Sequence, residues 1–193
     1  MAIETSVTSK GIYFITFTCH NWLPLIDTAD AYADVYKFFE VIKRDGNDIV
    51  GYVIMPNHLH FLINFKNTSK KLNTIIGNGK RFLAYDIVKK LQQRKEFELL
   101  NLLASAVEQK DSSRGKKHEV WKPGIDVKEC RTEKFLLQKL NYIHDNPVKG
   151  KWMLAKDNEA YVHSSCLFYF KKKHRFCEVT HYEEVLDWEN MYQ

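Results

Sequence analysis

The sequence predicts an α+β domain built on one antiparallel sheet, in the order β-α-β-β-α-β, followed by a further helix and a C-terminal extension. Three observations predict it. Runs dense in β-branched and aromatic residues occupy 11–20, 49–55 and 58–65. Apolar stripes at helical spacing lie between and after them. A compact Pro56-Asn57 break between the second and third runs reads as a hairpin turn. This order is ferredoxin-like, with the helices expected mainly on one face of the sheet.

The first strand is GIYFITFTCH, residues 11–20. Pro24 and Asp27 then mark a loop, and Thr28 or Asp30 can cap the next element. Tyr32, Val35, Phe38, Phe39 and Ile42 recur at helical spacing, and that helix is expected to end near Asp45-Gly46. The second and third strands flank the Pro56-Asn57 turn. Residues 66–69 are polar and can start a helix, whose stripe is Leu72, Ile75, Ile76, Phe82, Leu83, Ile87 and Leu91. Gly77 and Gly79 weaken its first turns. The polar stretch 109–117 reads as a flexible loop, and 118–121 as a short fourth strand ended by Pro123-Gly124. From Thr132 onward, Phe135, Leu136, Leu140 and Ile143 give another helical stripe, which Pro147 stops. Beyond Gly150, the aromatic segment 161–170 is expected to pack on the core, and 179–193 to form a short helix.

At 193 residues, 45% hydrophobic and 27% charged, the chain has the size and composition of one globular domain with an extension. No apolar run approaches 18 residues, so no membrane span is expected. The N-terminus lacks the apolar centre of a signal peptide, and a cytoplasmic protein, associated with the nucleoid when bound to DNA, is expected. Cys19, Cys130, Cys166 and Cys177 are widely spaced, with no CxxC pair, which argues for free thiols and against a zinc module. A net charge of +5 permits a polyanionic partner without demanding one. Its distribution says more: residues 69–95 hold Lys70, Lys71, Lys80, Arg81, Lys89, Lys90, Arg94 and Lys95 against one acid, Asp86. More cations follow at Lys110, Arg114, Lys116 and Lys117, and again over 171–175. Solvated helix faces would account for such runs, as would a surface that follows phosphates.

His58 and His60 flank Leu59 in the third predicted strand, so both imidazoles point to one face and can address one divalent ion. Ordinary polar strand positions give the same spacing. However, two ionisable rings within the apolar run YVIMPNHLHFLI need satisfied partners. At the end of the last helix of the domain, Tyr142 and Asn146 are four residues apart and share a face. A phenol and a carbonyl oxygen able to ligate a hard cation can thus address one point. Read blandly, Tyr142 is a half-buried aromatic and Asn146 a helix-end residue before proline.

Two segments resemble a known family. YVIMPNHLHFLI is similar to the histidine-hydrophobic-histidine motif of the single-tyrosine (HUH) transposases of the IS200/IS605 kind. YIHDNPVKG, residues 142–150, looks like the tyrosine segment of their REP-associated relatives. The resemblance runs from about Tyr13 to Ser165. It implies a nuclease/transposase domain over 1–150 with an extension over 151–193 packed on it. It further implies Tyr142 as nucleophile, His58 and His60 as metal ligands, and Asn146 in the third ligand position. Glutamine is usual there in the insertion-sequence branch, so the asparagine places the chain nearer the REP-associated branch. Members cut single-stranded DNA beside imperfect hairpins, as monomers or homodimers. The basic loop 110–117 and the extension depart from a minimal member and leave substrate and partner open.

The chemistry so implied is phosphoryl transfer with Mg²⁺ or Mn²⁺ as cofactor, through a 5′-phosphotyrosine link that a 3′-hydroxyl can later reverse. A phenol is protonated at neutral pH, so a cation must favour its ionised form. His144 lies well around the helix from Tyr142 and is a poor candidate base. Asn57, Lys80, Arg81, Arg114, Lys116 and Lys117 are candidate DNA contacts. The competing readings are a hairpin-binding protein without cutting activity, a relaxase or replication-initiator-like nuclease, and a metal-dependent hydrolase.

Overall fold

A computed structural model describes residues 10–66, 70–124, 126–150 and 152–186. Strand β1 (Gly11–Thr18) leads through a short helical turn, α1 (Leu25–Thr28), into helix α2 (Tyr32–Arg44). The hairpin of β2 (Asp48–Met55) and β3 (His58–Phe65) follows, then the long helix α3 (Leu72–Gln93). After it come α4 (Phe97–Ser105), the single turn α5 (Gln109–Ser112), strand β4 (Asp126–Glu129) and helix α6 (Glu133–Asp145). A 3₁₀ turn (Asn146–Val148), α7 (Cys166–Lys171) and α8 (Tyr182–Val185) complete the order.

The four strands form one antiparallel sheet in the order β2-β3-β1-β4, as the ferredoxin-like order requires. Alternate residues of β1 and β3 serve two cores. Tyr13, Ile15 and Phe17 with Leu59, Phe61, Ile63 and Phe65 face α2 and α3. Ile12, Phe14 and Leu62 face α6 and the C-terminal segment. Helices α2 and α3 therefore share one face, and α6 closes the other.

Two glycines set the helix positions by close approach. A Cβ on Gly79 of α3 would lie 2.2 Å from the Phe38 ring of α2, so that helix pair packs only over a bare backbone. A Cβ on Gly51 of β2 would lie 2.7 Å from Leu140 Cδ1, so Gly51 lets α6 sit down on the sheet. Helix α6 begins where Thr132 Oγ1 accepts from the Phe135 amide (3.2 Å) and ends where Pro147 supplies no amide hydrogen.

Several sequence expectations change. The fourth strand is Asp126–Glu129, not 118–121; Val120 and Trp121 are apolar because they are buried, and Trp121 makes only an isolated bridge to Cys19. Phe82 stands exposed rather than in the α3 stripe, since Leu83 and Ile87 fill the buried face, and the Arg81 guanidinium covers its ring at 4.9 Å. Leu25–Thr28 form the turn α1 rather than open loop, and the residue that caps α2 is Ala31, with no side-chain cap from Thr28 or Asp30. Part of 109–117 is helical, as α5. The stretch 67–69 and the end of the predicted segment 179–193 lie outside the described residues, although α8 falls within that segment.

The 161–170 segment packs as expected. Tyr161 Oη donates to the Ile54 carbonyl (2.7 Å) and Tyr169 Oη to the Val50 carbonyl (2.7 Å). Residues 163–165 also run beside the outer edge of β2, with amide-to-carbonyl bonds from Ile54 to His163 and from Ser165 to Tyr52. All four cysteines are buried thiols, and burial pushes each of them up to about 12.

Candidate active site

The register of β1 against β3 builds the first half of the site. Thr18 opposes His58 and Thr16 opposes His60, so both imidazoles emerge on the α6 face. Thr16 Oγ1 hydrogen-bonds His60 Nδ1 at 2.9 Å, and Phe14 stacks on the His60 ring at 5.2 Å. The two imidazole centroids are 4.7 Å apart.

The end of α6 supplies the second half. Tyr142 is 49% exposed, with its ring 5.1 Å from that of His60 and 6.2 Å from that of Phe14. Asn146, one helical turn on, brings Oδ1 to 3.2 Å from His58 Nε2. The strand pair and the tyrosine segment thus meet at one point.

Asn57 orients this point. Its Nδ2 donates to the Trp22 carbonyl (3.1 Å), which leaves its Oδ1 to accept from His58 Nδ1 at 2.7 Å. The imidazole proton is thereby held on Nδ1, and the Nε2 lone pair is free toward Asn146. Asn57 is fully buried, and its side chain serves to orient His58. Burial also keeps both rings neutral. Burial lowers His58 to about 4, although the Asn146 amide oxygen beside Nε2 favours the protonated ring, and His60 is held well below the usual imidazole range by burial, then by His58 and the nearby lysines.

Two lone-pair donors facing each other repel unless a cation lies beside both. The 3.2 Å between His58 Nε2 and Asn146 Oδ1 is close to that of neighbouring ligands on one ion. Bonds of about 2.1 Å at right angles give about 3.0 Å. Two neutral imidazoles and one amide oxygen can thus address one divalent ion. Among the described residues no three His, Cys, Asp or Glu side chains gather into a cluster, so the third donor that the geometry offers is the amide.

Lys139, one turn before Tyr142 on α6, was not singled out in the sequence. Its ammonium lies 5.8 Å from the Tyr142 ring centroid and 5.0 Å from that of Phe14, and it supplies positive charge beside the phenol. The i, i+3 spacing was the available signal. His144 is buried away from this point, where its Nε2 meets Ser165 Oγ (3.0 Å) and burial lowers it to about 4. It ties α6 to the strip along β2.

The remaining candidates collect elsewhere. Lys80, Arg81, Arg114, Lys116 and Lys117 all line a groove of about 670 Å³ between α3 and residues 114–124, with Lys89 and Lys122 beside them. Lys80 is turned inward: its ammonium donates to the carbonyls of Lys122 (3.1 Å) and Gly124 (2.6 Å), and burial lowers it to about 8. Lys116 pairs with Glu119. Elsewhere in the basic run, Lys70, Lys90 and Arg94 pair with Asp45, Asp34 and Asp30, so those charges serve the fold. The groove lies on the α3 face, opposite the histidines. The two meet at the sheet end, where the Lys122 amide bonds Thr18 O and the His20 amide bonds Val120 O.

No protein-family model and no curated protein sequence matches the chain. Solved structures do. A REP-associated tyrosine transposase bound to a REP hairpin superposes with a TM-score of 0.56 at 17% identity, over 97% of this chain and 94% of that one. A protein from Deinococcus radiodurans R1 assigned as a transposase aligns with 75% of this chain and 97% of its own at 16% identity, but its TM-score of 0.37 is too low to bear on the fold. Among the described residues no helix is long and apolar enough to cross a membrane. Over nearly its whole length, the chain has the fold of a REP-associated tyrosine transposase.

Proposed function

We propose that this protein is a DNA-binding transposase-type enzyme that cuts and rejoins single-stranded DNA beside hairpins, with Tyr142 as nucleophile. The observation that carries the reading is the convergence of His58, His60 and Asn146 next to the exposed ring of Tyr142. The fold likeness to a transposase bound to a hairpin supports it, as does a groove whose basic lining suits a phosphate backbone.

His58, His60 and Asn146 would hold the divalent ion, which polarises the scissile phosphate and offsets its charge. Asn57 and Thr16 fix the two rings, and desolvation keeps them neutral, so neither must lose a proton first. The Lys139 ammonium, 5.8 Å from the Tyr142 ring centroid, would add positive charge beside the attacked phosphate. The Tyr142 oxygen then bonds to phosphorus as the bond to the 3′ oxygen breaks. The phenolic proton passes to solvent, and the 3′ oxygen leaves as a hydroxyl after taking up a proton. The phosphotyrosine keeps the phosphodiester energy, so a 3′-hydroxyl can reverse the step and join strands.

The test is covalent capture. The protein is incubated with Mn²⁺ and a labelled pool of single-stranded hairpins, denatured and resolved on a gel. A labelled protein band that maps to Tyr142, absent in Tyr142→Phe, is the expected result. Cut but unattached DNA would assign the chemistry to activated water and refute the nucleophile.

A further inference from the structure

We propose that the indole of Trp22 is a stacking platform for an unpaired base next to the phosphate that Tyr142 attacks. The inference rests on the single-stranded DNA reading above and deepens it. Trp22 is 55% exposed, although its side chain is large and mostly apolar. Its ring meets His58 edge-on, with centroids 5.6 Å apart.

The chain holds it there against conformational cost. Asn21 (φ 47°) and Trp22 (φ 59°) are consecutive residues in the left-handed region. Asparagine tolerates that region; a bulky indole-bearing residue rarely enters it. The Trp22 carbonyl is gripped by the same Asn57 amide whose oxygen orients His58. One buried side chain thus anchors both the backbone that carries the indole and the His58 imidazole. An indole that only filled surface would need neither the turn nor the shared anchor.

Trp22 also stands on the path between the two candidate surfaces. The groove wall reaches the sheet end through the bond from the His20 amide to Val120, two residues before Trp22, and His58 opens β3 at that same end. A strand whose phosphates follow Arg81, Arg114 and Lys117 must round this end to reach Tyr142. A flat aromatic there can take any base, because stacking is tolerant of sequence.

The test uses single-stranded oligothymidylate and an abasic oligomer of equal length, without metal, read by tryptophan emission at low salt. Oligothymidylate is expected to quench the wild-type protein, and the abasic oligomer is not. Trp22→Phe keeps a stacking ring, so its affinity stays within about 3-fold while most of the quench disappears. Trp22→Ala is expected to bind about 10-fold more weakly. An undiminished quench in Trp22→Phe, equal quenching by the abasic oligomer, no wild-type quench, or wild-type affinity in Trp22→Ala would each overturn the proposal. If Trp22→Ala fails to fold, the Phe variant and the abasic comparison decide. Covalent capture at Tyr142 is scored separately. A Trp22-dependent quench without adduct keeps the platform and removes the cutting reaction, and an adduct without that quench does the reverse.

Discussion

His58 and Asn146 are 88 residues apart in sequence, yet Nε2 of one lies 3.2 Å from Oδ1 of the other. The contact exists because β3 presents His58 on the α6 face and because Gly51 lets α6 approach the sheet. Asn57 behind His58 then decides which nitrogen faces Asn146.

Asn57→Ala should therefore act at a distance from any ligand. It leaves the His58 Nδ1–H and the Trp22 carbonyl without their partner in a buried place, at a cost of about 2 kcal/mol. It also frees His58 to adopt the other tautomer, and Mn²⁺ affinity is expected to fall about 10- to 100-fold. Urea unfolding and an Mn²⁺ titration measure the two effects. Unchanged Mn²⁺ binding would remove the orienting role.

Buried neutral histidines predict a pH dependence of stability in the metal-free protein. Desolvation lowers His58 and His144 to about 4, whereas an unfolded imidazole titrates at about 6.5. Below about pH 6.5 the unfolded chain takes up protons that the folded chain refuses, so stability is full above that value and is lost as pH falls toward 4. Each ring accounts for about 3 kcal/mol across that window. His144→Gln removes one titrating group, and the slope of unfolding free energy against pH should flatten by about 1.4 kcal/mol per unit. Equal slopes in variant and parent would contradict the assignment.

Gly77 and Gly79 should respond in opposite directions to the same substitution. Nothing lies within 4 Å of a Cβ built on Gly77, so Gly77→Ala gains helix propensity and stabilises by about 0.5–1 kcal/mol. A Cβ on Gly79 collides with Phe38, and Gly79→Ala is expected to cost about 1–3 kcal/mol. Thermal midpoints that move the same way would show that the α2–α3 contact is not as close as described.

The groove cations divide into two kinds. Arg81, Arg114 and Lys117 are exposed, and each alanine substitution should reduce the slope of log affinity against log salt by about 0.7 for single-stranded DNA. Lys80→Met should leave that slope unchanged and instead cost about 2 kcal/mol of stability, because its ammonium holds two backbone carbonyls. A full unit of slope lost with Lys80 would reverse the division.

The sequence displayed the elements whose pattern is set by burial. The first three strands and the helices α2, α3 and α6 carry dense or periodic apolar residues, and these alone bring His58, His60, Tyr142 and Asn146 into view. The edge strand β4 was hidden because DVKE is half exposed and polar, while His118-Glu119-Val120-Trp121 imitated a strand by being buried. Helix α4 left a faint trace, with only Leu100 and Leu103 buried. The orienting groups were hidden for another reason. Asn57 and Thr16 act through cross-strand register and a turn, and no spacing along the chain announces either contact.

The strip 163–165 along β2 has a consequence for self-association. An unpaired outer strand invites a neighbour's strand and, with repetition, fibrous aggregation. Here that side of the sheet is already occupied by the chain's own later residues. Among the described residues the opposite border is β4, only four residues long and bearing Asp126, Lys128 and Glu129. A border so short and so charged is a poor template for strand exchange. A second copy would have to dock through helices or loops, and a pairing of that kind leaves the sheet finite.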